Sequence, residues 1–211
     1  MTEDLLARLA ELGVATVYEA AGRAGLIDLP LIQLLSGSRA AGPARTVFCG
    51  QDDNLMVHAA IERIQPGEVL VLTMAEPRPV ALVGELLATQ VKVRGAAAIL
   101  VDAAVRDVEE LRELGLPIWA RFVRAAGAGK TAIGELDATV TVGGTRISPG
   151  DIVVLDADGG VSIPSARAVE VLATAEARYE REVRLREKLL AGATSYALHG
   201  LQAYVEMNRR I

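Results

Sequence analysis

Residues 83–107, VGELLATQVKVRGAAAILVDAAVRD, decide how the chain is built. The apolar spacing from about Gly84 to Arg94 predicts a helix, and the short apolar run Ala97–Val101 predicts a buried strand. A helix of about 10 residues advances about 15 Å, and a strand of five to six residues returns about 17–20 Å. The chain therefore goes out and comes back. Arg106 and Asp107, just past the strand, lie beside the N-terminus of the helix that begins near Glu85. Open α/β sheets bind ligands at such strand ends.

Working outward, the same alternation continues. Ala44–Cys49 and Glu68–Met74 read as strands, Asn54–Ile64 as a helix, Val108–Leu114 as a short helix and Pro117–Phe122 as a strand. Strands alternating with helices predict an α/β layered fold. Upstream, Leu5, Leu6, Leu9 and Leu12 recur at helical spacing behind Thr2, with Gly13 closing the run and a second short helix from Thr16 to about Arg23. Residues 26–42, broken by Pro30, Gly37 and Gly42, read as an ordered loop with short extended pieces. Thr139–Pro164 is strand-rich and punctuated by Gly pairs, which predicts antiparallel β structure. A long helix from about Ser165 to Leu190 follows, with Gly192 to end it. Ile64–Leu72 and Ile147–Leu155 echo each other as Pro-Gly turns feeding buried strands.

Composition narrows the chemistry. The chain has 211 residues, 51% hydrophobic and 23% charged, which suits one globular domain. No apolar run is long enough to span a bilayer and no signal-peptide pattern opens the chain, so a cytoplasmic location is expected and no membrane partner. The net charge of −5 and 3% aromatic content argue against nucleic acid. Cys49 is alone, which excludes an intrachain disulfide and a cysteine zinc site. His58 and His199 are the two histidines, too few for a multi-histidine zinc site. His58 reads as a core or interface residue, and His199 as a tail residue suited to an oligomer contact. The lysines Lys92, Lys130 and Lys188 read as solvated, which disfavours a Schiff-base enzyme. Gly127-Ala128-Gly129-Lys130-Thr131 resembles the end of a phosphate-binding loop, but Arg124 stands where the full pattern needs glycine. Read as a dinucleotide motif, it lacks a third glycine, since residue 132 is alanine.

Carboxylates, arginines, backbone amides or a bound ion must then carry any chemistry. The amides of Leu86 and Leu87, in the first helical turn, are without helical partners and favour an anion. Arg106 offers a planar fork that fits a carboxylate or 2-oxo acid. Asp107 and Glu85 bring two anions together, and a hard divalent ion such as Mg²⁺ or Mn²⁺ resolves their repulsion. The plainer reading stands beside it: Glu85 suits the helix dipole alone, and Arg-Asp at a strand end is often a surface ion pair.

In order along the chain, 41–47 (AGPARTV), Pro66-Gly67-Glu68, Gly84-Glu85-Leu86-Leu87-Ala88, 101–107 (VDAAVRD), 116–121 (LPIWAR) and Pro149-Gly150-Asp151-Ile152-Val153 resemble the RraA-like, class II pyruvate aldolase family. The resemblance covers nearly the whole chain. Its most specific element is an acidic residue, twenty residues, then Arg-Asp, met by Glu85, Arg106 and Asp107. The resemblance implies a three-layer β/β/α swivelling domain with N-terminal helices and a long C-terminal helix. Residues 1–164 would form the layered part, and 165–211 a helical extension packing on a neighbouring subunit of a homotrimer or homohexamer. It further implies Mg²⁺ or Mn²⁺ on Asp107 directly and on Glu85 through water, with Arg106, Gly84 and the amides of Leu86 and Leu87 holding a pyruvyl group. Glu182 of a neighbouring subunit, or Glu180, would reach the ion's outer shell. The implied activity is cleavage of a C–C bond in a 4-hydroxy-2-oxo acid or oxaloacetate through a pyruvate enolate. The family's alternative is a non-catalytic regulator that binds a ribonuclease. Two departures stand out: Glu85 replaces the aldolases' usual Asp, and Ala103-Ala104 replace a Gly-containing turn.

Overall fold

The computed structural model describes residues 2–208; the end of the C-terminal segment, 209–211, lies outside them. In chain order the elements are α1 (Glu3–Ala20), β1 (Leu26–Ile27), β2 (Ile32–Gln33), β3 (Ala40–Cys49), α2 (Leu55–Ile61), β4 (Val69–Met74) and β5 (Ala81–Val83). There follow α3 (Glu85–Val93), β6 (Ala98–Val105), α4 (Val108–Leu114), β7 (Ile118–Val123), β8 (Glu135–Leu136), β9 (Val140–Val142) and β10 (Thr145–Ile147). The chain continues through β11 (Ile152–Asp156), β12 (Gly159–Ile163), a 3₁₀ turn (Ser165–Arg167), α5 (Ala168–Leu190), α6 (Ser195–Leu198) and α7 (Leu201–Asn208).

The main strand path runs β1-β12-β11-β3-β4-β6-β7-β2, with β5 beside β6 and β8 beside β3. β3, β4, β6 and β7 are parallel neighbours, whereas β11, β12 and β1 are antiparallel. β3 joins the two halves: residues 40–43 pair with β11, and Ala44–Cys49 pair with β4. This corrects the expected start at Ala44. Pro43 lacks an N–H, but it falls where the strand changes partner, so the extended run passes through it.

Period-2 alternation then distributes side chains into layers. Leu70, Leu72, Ile99, Val101 and Ile118 pack under α2, α3 and α4. Their alternates Val69, Val71, Leu100 and Trp119 meet Val153, Leu155 and Ile147 in a sheet-on-sheet core. Ile152, Val154, Val161 and Ile163, on the outer face of the second sheet, are covered by Leu9, Leu12 and Val17 of α1 and by Val171 and Ala175 of α5. The fold is thus the expected β/β/α sandwich, with the terminal helices adding an outer layer. Strands covered on both faces explain why β4 and β6 are buried throughout and, apart from Thr73 and Asp102, apolar. The Trp119 indole N–H donates to the Asp156 carbonyl at 2.8 Å, which ties β7 to β11 across the inter-sheet core.

Several boundaries follow from local chemistry. The two Pro-Gly turns behave alike: Gly67 and Gly150 both have positive φ, and Glu68 and Asp151 donate back to Gln65 and Ser148. Gly143-Gly144 forms the tight turn between β9 and β10 with positive φ at both positions. Gly192, at φ 97°, ends the long helix one residue past its cap. α2 is shorter than expected, ending at Ile61, and Ser165 opens a 3₁₀ turn instead of capping α5. No helix among the described residues is long and apolar enough to cross a membrane.

Gly13 interrupts α1 at φ 81° and ψ 166°, separating the two N-terminal helical pieces that the sequence predicts. Only glycine adopts that conformation readily, and a Cβ there would lie 2.7 Å from Asp156 Oδ2. That carboxylate accepts the Val14 N–H at 2.8 Å, restarting the helix. Gly13→Ala is expected to lower unfolding stability by about 1–3 kcal/mol, read as a lower urea midpoint at unchanged m-value.

Candidate active site at the end of β6

β6 runs to Val105, longer than the expected Ala97–Val101, because β5 pairs with its far end: Ala81 with Ala104 and Val83 with Val105. The small side chains of Ala103 and Ala104 let the strand continue, buried on both sides. The Arg106 N–H then donates to the Val83 carbonyl at 3.1 Å. This latch sets the end of β6 against the residues that open α3.

Asp107 adopts a left-handed backbone, φ 60° and ψ 49°, which short polar residues tolerate best. Its Oδ2 accepts the Glu85 N–H at 3.1 Å and lies 3.7 Å from Arg106 Nε. Gly84 makes this approach possible. Its φ of −131° is open to any residue, but a Cβ would stand 2.4 Å from Asp107 Oδ2. The glycine is required for space, not for conformation.

The first backbone bond of α3 is Ala88 N–H to the Gly84 carbonyl, so the amides of Leu86 and Leu87 carry no helical partner. They sit at the positive end of the helix dipole. Leu86 is exposed and Leu87 buried, and both line a cavity of about 270 Å³ with Gly84, Arg106 and Asp107. That volume is close to the lower end of small-molecule sites, about 300–1,000 Å³. A shallower depression of about 570 Å³, with Arg112 and Arg124, lies on the other side of the Arg106-Asp107 pair.

The structure brings Arg106, Asp107, Gly84, Leu86, Leu87 and the backbone of Glu85 together. The Glu85 carboxylate is turned along α3, where Oε1 accepts the Thr89 hydroxyl at 3.0 Å. Glu182 is elsewhere on the chain, paired with Arg178 at 2.9 Å, and Glu180 faces Arg184 at 3.9 Å. Among the described residues no group of three or more His, Cys, Asp or Glu side chains converges. Within one chain, therefore, Glu182 does not join Asp107 and Glu85 in such a group.

The opposite wall of the cavity escaped the sequence reading. Asn54, His58 and Lys130 line it. His58 is exposed and faces this cavity, not the core. The wall is held by Asp53, 3% exposed, whose carboxylate accepts N–H groups from Leu55 (2.8 Å), Thr131 (2.6 Å) and Ala132 (3.0 Å). Burial pushes the Asp53 carboxyl up, but those three donors and the nearby Lys130 charge outweigh it and hold the group below the usual carboxylate value. A signal did exist in Asp52-Asp53-Asn54 immediately ahead of α2, where such residues bond to nearby backbone. Cys49 is buried, which pushes its thiol up to about 12.

In this layered α/β sandwich an arginine, an aspartate and a helix N-terminus thus converge at one strand end. The chain belongs to the RraA-like (Aldolase/RraA) family, whose profile matches residues 14–162. It is 34% identical over 173 residues to a protein of Halalkalibacterium halodurans, covering 82% of this chain and 80% of the relative. It is 39% identical over 142 residues to one of Burkholderia multivorans, covering 66% and 85%. Both relatives are provisionally named 4-hydroxy-4-methyl-2-oxoglutarate aldolase. Among solved structures it is similar to Streptomyces coelicolor RraAS2, described as an unusual member of the RNase ES inhibitor RraA protein family. That similarity has a TM-score of 0.78 and 30% identity, and covers 88% of this chain and 97% of the other.

The Asp53 clamp makes a pH-dependent prediction. A carboxyl held below its unfolded value of 3.8 contributes stability that is complete above that value and is lost as pH falls through the lower folded value. Asp53→Asn should therefore cost about 1–3 kcal/mol at neutral pH, with the gap to the wild type closing in urea titrations run at progressively lower pH below 3.8.

Proposed function

We propose that this chain is a divalent-cation-dependent aldolase or decarboxylase that cleaves a C–C bond of a 4-hydroxy-2-oxo acid or oxaloacetate through a pyruvate enolate. The observation that carries the reading is the convergence of Arg106, Asp107 and the Leu86 and Leu87 amides on one cavity. Membership of a family with relatives provisionally named as aldolases supports it.

The residues fit a hard cation. Asp107 keeps one carboxylate oxygen on the Glu85 amide, and its side chain is 42% exposed, so the other oxygen can serve as a ligand. Asp107 and Glu85 offer carboxylate oxygens, and Mg²⁺ or Mn²⁺ holds such sites with one or two carboxylates and several waters. Glu85, turning away from Thr89, would hold one of those waters. When bound, the cation would supply Lewis-acid stabilisation of the enolate oxygen.

The chain's own groups do the rest. Arg106 binds the 2-oxo oxygen and stabilises the charge that develops there as the C–C bond breaks. The Leu86 and Leu87 amides orient the substrate's carboxylate at the helix N-terminus. Glu85, turned from Thr89 toward the cavity, would orient the water that exchanges the proton. Retro-aldol cleavage and oxaloacetate decarboxylation share the same enolate, so both activities belong to one site.

The site is completed by a second copy of the chain in a homotrimer or homohexamer. α5 is buried on its own chain only over Ala168, Val171 and Ala175, and beyond it Tyr196, Leu198, Leu201, Tyr204 and Met207 are exposed. An apolar face of that kind suits a subunit contact, and it would carry Glu182, or Glu180, to a neighbour's Asp107. The similarity to RraAS2 favours one other reading, a non-catalytic protein that binds a ribonuclease. An inert purified protein that captures a ribonuclease would favour it.

The test is oxaloacetate decarboxylation in Mg²⁺ or Mn²⁺. Activity is expected to vanish in EDTA and in Asp107→Ala, and Arg106→Ala should lower kcat about 10²–10³-fold. Gly84→Ala should keep its circular dichroism yet lose activity, because its new methyl displaces the Asp107 carboxylate. Full activity in EDTA or in Asp107→Ala contradicts the reading.

A further inference from the structure

A separate cavity of about 370 Å³ lies at the β1-β12 end of the strand path and shares no residue with the cavity of Arg106 and Asp107. The entry to β1, the end of β12, the β9–β10 hairpin and the 3₁₀ turn before α5 enclose it. These pieces are tied together around it. The Thr145 hydroxyl donates to the Leu26 carbonyl, and the Ser162 N–H donates to the Gly25 carbonyl at 2.8 Å. Ala24 and Pro164 give the cavity apolar wall, while Arg146 and Arg167 give it charge.

Ser162 is the polar residue in its floor. It is in register with Val153, so alternation turns its side chain to the inter-sheet side on which Val153 and Ile147 pack, toward the hairpin. The residue is 5% exposed, lines the cavity, and its hydroxyl has no hydrogen-bond partner among the described residues. A buried hydroxyl without a partner is costly, so a ligand that supplies one gains by binding there. The positive end of a long helix adjoins it. The Ala168 N–H bonds to the Ser165 carbonyl, so the 3₁₀ turn runs straight into the 23 residues of α5.

The two guanidinium groups differ. Arg146 is exposed and forms no ion pair among the described residues. Arg167 is half engaged: Nη2 lies 3.1 Å from Glu170 Oε1, and Nη1 donates to the Ala21 carbonyl at 3.4 Å. That pairing holds the Glu170 carboxyl below its usual value, so it is ionised at neutral pH. Two cations and one anion leave a single positive charge, which matches a monoanion better than a phosphate dianion. We propose that this cavity is a binding site for a small aliphatic monocarboxylate, with its carboxylate between the Arg146 fork and the Ser162 hydroxyl and its hydrocarbon part against Ala24 and Pro164. Binding there is independent of the reaction proposed above.

The experiment titrates the full chain with isobutyrate in EDTA, followed by ligand-observed NMR; this acid lacks the 2-oxo group that Arg106 is assigned. Saturable binding is expected, with none for the neutral isobutyramide. Arg146→Met should raise Kd about tenfold or more, and Ser162→Ala about three- to tenfold. Glu170→Gln releases Arg167 and should lower Kd about two- to fivefold, a gain that a folding defect cannot mimic. Arg106→Ala should bind as the wild type does. No saturable binding, or a Kd unmoved by both Arg146→Met and Glu170→Gln, overturns the proposal. Loss of binding in Arg106→Ala places the acid in the other cavity and also overturns it. Inorganic phosphate that displaces isobutyrate at lower concentration overturns the assignment to a monocarboxylate.

Discussion

One hydrogen bond organises the site: the Glu85 N–H to Asp107 Oδ2, at 3.1 Å. It holds Asp107 in a left-handed backbone that would otherwise be unfavourable, and it fixes the end of β6 against the first turn of α3. Gly84 is tied to this contact because any side chain there would collide with the same carboxylate oxygen. Arg106 is placed as a consequence, since its backbone is latched to Val83 and its guanidinium lies over the gap left by Gly84 and Gly127. The contact also occupies the Glu85 amide, leaving the Leu86 and Leu87 amides as the helix N–H groups without a helical partner beside it.

The layered fold explains why this contact can be made reproducibly. β6 is buried on both faces, between the helical layer and the second sheet, so its end has little freedom. The cavity's far wall has an equivalent fixed point in Asp53, which binds three backbone N–H groups and holds the loop that carries Lys130. Two anchored walls therefore face each other across a small cavity, one ending in Arg106 and the other in Lys130.

The sequence was most informative where structure is local. Clean helical spacing in 84–94 followed by an apolar strand was enough to place Arg106 and Asp107 beside Glu85. The paired Pro-Gly turns, the Gly143-Gly144 turn and the stop at Gly192 were legible because each depends on a few neighbouring residues. Long-range contacts were not. β5 and the true end of β6 depend on each other, and neither carries a pattern of its own. β3 begins before Pro43 because a partner more than a hundred residues away, β11, pairs with it. The glycines at 127 and 129 suggested a phosphate loop because spacing cannot reveal that Arg106 and Asp53 fill the space that side chains would take. His58 was read from its apolar neighbours, while its exposure depends on where α2 sits over the cavity.

The most direct measurement of the central claim is a crystal structure of the protein grown with Mn²⁺ and oxalate, a stable mimic of the pyruvate enolate, with the metal located by anomalous scattering. The account predicts a single manganese peak in each cavity on the Asp107 carboxylate, oxalate between it and Arg106, and an acidic residue of a neighbouring α5 nearby. Manganese and oxalate bound away from Asp107 and Arg106, or excluded from the cavity at saturating concentration, would contradict it.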